Sequence, residues 1–221
     1  MKIITFKNQE PVTDFAPVYD YSMCEVFLDN IDNNALSDLI MTKEKEIIEQ
    51  TLPVDSSSPD GYTGLGINSL TSRYTRFNVM KWRNPCVVDL KNAIYESYLK
   101  FLEYHQVKRR KVWISCWANV LRSGESIQPH IHCVDEYTYL SGNYVVQAET
   151  TKTFYLNPIN QINEPATYEV VNTPGNLVIF QSNIPHFTDI HTSNEPRITI
   201  AFDLIVDEMD TTVNTVLFDG E

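Results

Sequence analysis

Five histidines serve the 221 residues of this chain, and four of them fall in two short windows. The first window, IQPHIHCVDE (127–136), sets His130 and His132 one residue apart. The second, PGNLVIFQSNIPHFTDIHTSNEPRITIAFD (174–203), delivers His186 after an apolar strand, then His191, and opens a further strand at Arg197. On an extended chain, residues i and i+2 share a face. His130 and His132 therefore present two imidazoles side by side, with Ile131 and Cys133 turned away. Imidazole ligates Fe, Zn, Cu and Ni, and geometry rather than affinity selects among them. The plain alternative is two polar residues on a strand edge, and the third histidine at 186 tips the reading toward a metal. His191, in a polar turn, is expected to be exposed. His105 ends a helix, where a cationic side chain is favoured.

The elements that must position these residues change character along the chain. KIITF (2–6) and MCEVFL (23–28) read as strands. Residues 32–50 read as a helix capped by Asp32 or Asn33, with Leu36, Leu39, Ile40, Ile47 and Ile48 at helical spacing. Residues 84–105 read as a second helix, with Asn84 as cap and Pro85 in the first turn. Between them, 51–82 holds prolines, glycines and a serine run, and loops of this length often act as lids. Tyr62, Tyr74 and Phe77 are its aromatic residues nearest a site. From residue 111 onward the period becomes two, in KVWISCWANVL, LSGNYVVQAE, TKTFYLN, ATYEVVN, GNLVIFQ and RITIAFDLIV. Strands after helices predict an α+β, mainly β, chain: an antiparallel sandwich or barrel with the N-terminal helices packed on one side. The expected organisation is a single domain, 1–221. Its parts are N-terminal strands, helices and loop to 110, a β core over 111–206, and a C-terminal tail over 207–221.

The ordered set His130-Ile131-His132, Ser141-Gly142-Asn143-Tyr144, Gly175, Phe180-Gln181-Ser182, Pro185-His186 and Arg197-Ile198-Thr199 resembles the Fe(II)- and 2-oxoglutarate-dependent oxygenases, in the branch related to the prolyl 4-hydroxylases. The resemblance covers about residues 111–206. It implies a double-stranded β-helix (jelly-roll, cupin) core and a hydroxylase-type dioxygenase, with Fe(II) and 2-oxoglutarate as cofactors and O2 and an unidentified prime substrate as partners. In this resemblance His130, His132 and His186 hold the metal. Arg197, with the Thr199 hydroxyl on its face of the strand, meets the distal carboxylate of 2-oxoglutarate, for which a guanidinium offers a fork of donors. Asn143 and Tyr144 compete for one inward position beside the co-substrate. GYTGLGINSLTSRYTRFN (61–78) also looks like the upstream loop of phage-type relatives.

The sequence departs from that family at one chemical point. The common facial triad is two histidines and a carboxylate, and here the second position is His132. Either three neutral imidazoles hold the metal, or a nearby carboxylate joins them, Glu136 first and Asp135 second. Gly124, His130, His132 and Glu136 fit the first cupin motif, with Glu136 as a further ligand. Two other functions stay open: a three-histidine cupin metalloenzyme that does not use 2-oxoglutarate, and a non-enzymatic β-sandwich module.

Composition removes other classes. The net charge is −12 and the one basic run is KRRK (108–111), so a nucleic-acid groove or an anionic membrane surface is disfavoured. No apolar run has membrane-spanning length, and the first residues lack the apolar stretch of a signal peptide. Four scattered cysteines, Cys24, Cys86, Cys116 and Cys133, suit free thiols in a reducing cytoplasm, including the host cytoplasm of a virus-encoded protein. A homodimer is left open.

Overall fold

The computed structural model describes residues 1–149, 151–159, 167–206 and 214–219. Its strands are β1 (Lys2–Lys7), β2 (Asp20–Phe27), β3 (Val112–Leu121), β4 (Leu140–Gln147), β5 (Lys152–Leu156), β6 (Thr167–Val171), β7 (Asn176–Gln181), β8 (His186–Thr188), β9 (Arg197–Val206) and β10 (Val216–Asp219). Helix α1 spans Asn33–Gln50 and α2 spans Pro85–Tyr104. Seven strands form a sheet in the order β1-β2-β7-β4-β9-β3-β10, and β6-β5-β8 form a smaller one. Every recorded strand pair is antiparallel. This is the double-stranded β-helix with helices on one side.

Each helix starts where its cap places it. Asp32 Oδ1 accepts the Ala35 amide at 3.0 Å, and Asn84 Oδ1 accepts that of Cys86 at 3.1 Å. Leu36, Ile40 and Ile47 of α1, with Val87, Leu90, Ile94, Tyr98 and Phe101 of α2, are buried against the large sheet. Strand alternation sorts β9 between two environments. Ile198, Ile200, Phe202 and Leu204 join the helix-side core, which leaves Arg197, Thr199, Ala201 and Asp203 on the inner face. A second core between the sheets holds Met23, Val178, Phe180 and Tyr155.

Two local readings differ. The HIH segment is not a regular strand, because His130 makes only an isolated antiparallel bridge to His186, at the start of the three-residue β8. Gly142 lies inside β4. A Cβ there would come within 2.1 Å of the Phe202 ring, so a side chain has no room. Gly175 does occupy a turn, at φ +99°, a left-handed conformation that suits glycine. Part of the expected tail is a strand: Val216 and Leu217 pair with Ile114 and Trp113 at the edge of the large sheet. That segment is too short to show a period. Residues 207–213 and 220–221 lie outside the described residues.

Candidate active site

The three histidines of the two windows converge. His130 and His186 exchange backbone hydrogen bonds at 3.1 and 3.0 Å, which fixes the first window against β8. His132 is held by its amide, which donates to the Ser182 carbonyl at 3.0 Å. Each ring uses Nδ1 outward: His130 toward the Gln128 carbonyl at 2.8 Å, His186 toward the Ile184 carbonyl at 3.1 Å, and His132 toward Asp203 Oδ1 at 2.6 Å. A carbonyl or carboxylate oxygen accepts, so each Nδ1 carries the proton and donates. That tautomer leaves Nε2 free on every ring. The ligand atoms of the three lie within 4.8 Å of one another. Burial pulls His130 down to about 4, helped by the His132 ring, and burial together with both neighbours holds His186 well below the ordinary histidine value. Neutral imidazoles are the form that binds metal.

The same cavity, of about 130 Å³, reaches Arg197. Arg197 is 1% exposed. Its Nη2 reaches Thr153 Oγ1 at only 3.5 Å, and its Nε and Nη1 have no hydrogen-bond partner among the described residues. Burial pulls the guanidinium down to about 10. Two more buried hydroxyls are equally unpartnered, Thr199 Oγ1 on β9 and the Tyr155 phenol on β5. Burial pushes the Tyr155 phenol upward, and the charge of Arg197 acts against that shift. A buried polar group without a partner costs free energy; Arg197 lines the cavity, the Tyr155 phenol is near enough to feel its charge, and Thr199 is two residues along β9 from it.

The remaining candidates separate cleanly. Asn143 lines the cavity. Tyr144 is on the opposite face, buried among the helix-side residues, with its hydroxyl donating to Asn33 Oδ1 at 2.7 Å. Glu136 and Asp135 are on an exposed turn, and Asp135 Oδ1 accepts the Tyr137 amide at 2.8 Å; neither joins the group of potential ligands. His191 is buried rather than exposed. Its Nε2 donates to the Glu195 carbonyl at 2.6 Å, its amide donates to Glu125, and its carbonyl accepts from Gly124. It thereby fastens the turn before the first window to the second window. Asp60, Thr63 and Tyr74 of the 51–82 loop line the cavity, and Thr71 Oγ1 donates to Asn119 Oδ1 on β3 at 2.7 Å. Tyr62 stays exposed, while Phe77 is buried and stacks on Trp82.

Asp203, in the cavity lining, and Tyr155, next to it, carry no motif signal in the sequence. Asp203 follows Arg197, Thr199 and Ala201 on the inner face of β9, so period two alone could have placed it. Tyr155 follows Thr153 on β5 by the same rule. Burial pushes the Asp203 carboxyl up, but His132 and the Ser141 hydroxyl more than offset this and hold it below the ordinary carboxylate value.

Residues 115–203 match the family described as "Putative 2OG-Fe(II) oxygenase". No curated protein matches the sequence. Among solved structures, the chain resembles a prolyl-4-hydroxylase from Pseudomonas putida at 9% identity and TM-score 0.52, covering 85% of this chain and 93% of that one. A prolyl hydroxylase from Trichoplax adhaerens, in complex with a hypoxia inducible factor peptide fragment, aligns at 11% identity and TM-score 0.53, over 84% of each chain. The α-ketoglutarate-dependent carbocyclase SnoK of nogalamycin biosynthesis aligns at 10% identity and TM-score 0.55, over 90% and 89%. These structures share the fold.

Proposed function

We propose that the chain, whose residues 115–203 match the 2OG-Fe(II) oxygenase family, is an oxygenase of that kind and hydroxylates a prime substrate with iron on His130, His132 and His186 and 2-oxoglutarate anchored by Arg197. The observation that carries the residue assignment is the pair of guanidinium nitrogens of Arg197, Nε and Nη1, left without partners among the described residues in the cavity that the three imidazoles also line. Both cofactors fit the residues present. Three neutral nitrogens facing one point form an incomplete coordination shell, which leaves positions for a chelating co-substrate and for oxygen. A fully buried cation with two free donors fits a distal carboxylate bound as a fork.

When bound, iron and 2-oxoglutarate together activate O2, so that one oxygen atom enters a C–H bond of the substrate and the other leaves in succinate, with release of CO2. The protein's own residues bind, orient and shield. Arg197 sets the distance of the co-substrate from the imidazoles, and the Thr199 and Tyr155 hydroxyls supply further hydrogen bonds at the same end. The carbonyls of Gln128 and Ile184 keep His130 and His186 in the tautomer that exposes Nε2. The 51–82 loop, through Asp60, Thr63 and Tyr74, forms the wall past which the prime substrate enters. Asn143, opposite, takes a polar contact with co-substrate or substrate.

Among the described residues no helix is long and apolar enough to cross a membrane. All four cysteines are unpaired, which supports a reducing cytoplasm as the place of action, in a cell or in the host of a virus. The test is anaerobic titration with Fe(II) and 2-oxoglutarate. A visible metal-to-ligand charge-transfer band that needs both, and is lost in His186→Ala, is the expected result. Iron binding without the band would sink the 2-oxoglutarate assignment and favour a three-histidine cupin chemistry.

A further inference from the structure

The histidine in the carboxylate position of the facial triad has a carboxylate directly behind it. His132 Nδ1 donates to Asp203 Oδ1 at 2.6 Å, whereas His130 and His186 lean on neutral backbone carbonyls. Ser141 Oγ lies 2.6 Å from the same Asp203 oxygen and 2.8 Å from Ser182 Oγ. With a single proton, Ser141 donates to the carboxylate and accepts from Ser182. Strand register builds this chain in: Ser141 on β4 is the direct cross-strand partner of Asp203 on β9, and of Phe180 on β7, two residues before Ser182. The two serines of the sequence motif thus have a physical task that metal and co-substrate binding leave unassigned. They clamp the oxygen that clamps His132.

We propose that Asp203 is a positioning residue that supplies, through His132, the negative charge a carboxylate ligand would otherwise bring to the iron. This rests on the oxygenase reading above. A hydrogen bond from a ligating imidazole to a carboxylate fixes the ring and makes the ligating nitrogen more basic. The inner ligands are then three neutral imidazoles, and the charge sits one hydrogen bond further out. Because Asp203 is on the inner face of a central strand, flanked by β3 and β4, its carboxylate stays with His132.

The proposal makes an outcome of opposite sign in two backgrounds. Asp203→Asn keeps a carbonyl to accept from Nδ1 and removes the charge. In the otherwise native protein it weakens anaerobic Fe(II) binding by roughly 10- to 100-fold, the usual size of an outer-shell effect. It also moves the Fe(II)–2-oxoglutarate band to shorter wavelength, since a less electron-rich iron gives up charge less readily. In a His132→Asp background the carboxylate is itself a ligand, and Asp203 becomes a like charge beside it. There Asp203→Asn strengthens Fe(II) binding. Weakening in both backgrounds, including through misfolding seen in near-UV circular dichroism, assigns Asp203 a structural role and overturns the proposal. Fe(II) affinity within twofold of native and an unshifted band in Asp203→Asn, with His186→Ala still losing iron, overturns it while the oxygenase site stands. Retention of iron by His186→Ala overturns both.

Discussion

Replacing Arg197 by methionine separates binding from stability, because the two respond in opposite directions. The guanidinium is 1% exposed, with two donor atoms unpartnered, and burial holds it at about 10 against an ordinary 12.5. At about 1.4 kcal/mol per pKa unit, keeping it charged costs the ligand-free fold about 3 kcal/mol. Methionine fills similar space without charge. The ligand-free protein is therefore expected to gain stability, and at about 2–4 °C per kcal/mol for a chain of this size its Tm rises by roughly 6–12 °C. Co-substrate binding moves the other way. Two charge-assisted hydrogen bonds of about 1.5–3 kcal/mol each are lost, so the Kd for 2-oxoglutarate rises by roughly 10²- to 10⁴-fold. Arg197→Lys restores the charge without the fork and recovers only part of the affinity. The assays are thermal unfolding with and without 2-oxoglutarate, and calorimetric titration of 2-oxoglutarate into the anaerobic Fe(II) protein. A methionine variant that melts lower than native and binds 2-oxoglutarate within twofold would refute the reasoning, since Arg197 would then be an ordinary core contact.

Four further outcomes are expected. Glu136→Gln leaves Fe(II) affinity unchanged within twofold, because Glu136 is exposed and apart from the three imidazoles; a tenfold loss by metal titration would make it a ligand. Tyr155→Phe weakens 2-oxoglutarate binding by about tenfold, the value of one hydrogen bond, and leaves the ligand-free Tm unchanged or higher because it removes an unpartnered buried hydroxyl; a lower Tm with unchanged affinity would contradict this. Gly142→Ala drives a methyl group into the Phe202 ring and costs about 1–3 kcal/mol of stability by denaturant unfolding; an unchanged midpoint would show that the ring moves freely. In the metal-free protein, His130 titrates at about 4 in the fold and near 6.5 when unfolded. The unfolded chain thus binds more protons between those values, and stability falls as pH drops from about 6.5 to 4, by about 3 kcal/mol from this residue. A flat stability profile across that window, read by urea unfolding, would contradict the desolvation of His130 beside the His132 ring.

The local chemistry was readable from residue types and spacing. Two caps and an N-terminal proline marked the helices, period two marked the strands, and a histidine pair with a third in a later window marked the candidate metal site. What period two cannot supply is a choice between adjacent residues. Asn143 and Tyr144 compete for one inward place until β4 is set between β7 and β9, and the Phe202 ring over Gly142 identifies which face is which. The 51–82 segment gave no signal of its own contacts, and only the fold carries Tyr74 and Asp60 to the cavity wall while Phe77 goes into the core. Glu136 was attractive because it is near the histidines in the chain, but a turn points it into solvent.

The sequence by itself determined which side chains could do chemistry and that the second half alternates in strands, because donor type and side-chain period are local properties. The tertiary structure decided which groups are left without partners and which carboxylate hydrogen-bonds to the histidine cluster. Asp203 lies 71 residues from His132 in the chain and 2.6 Å from it in the fold. Only antiparallel register between strands distant in sequence brings that carboxylate to its histidine, and only burial with two nitrogens left unpartnered among the described residues makes Arg197 a candidate anion site rather than a strand residue.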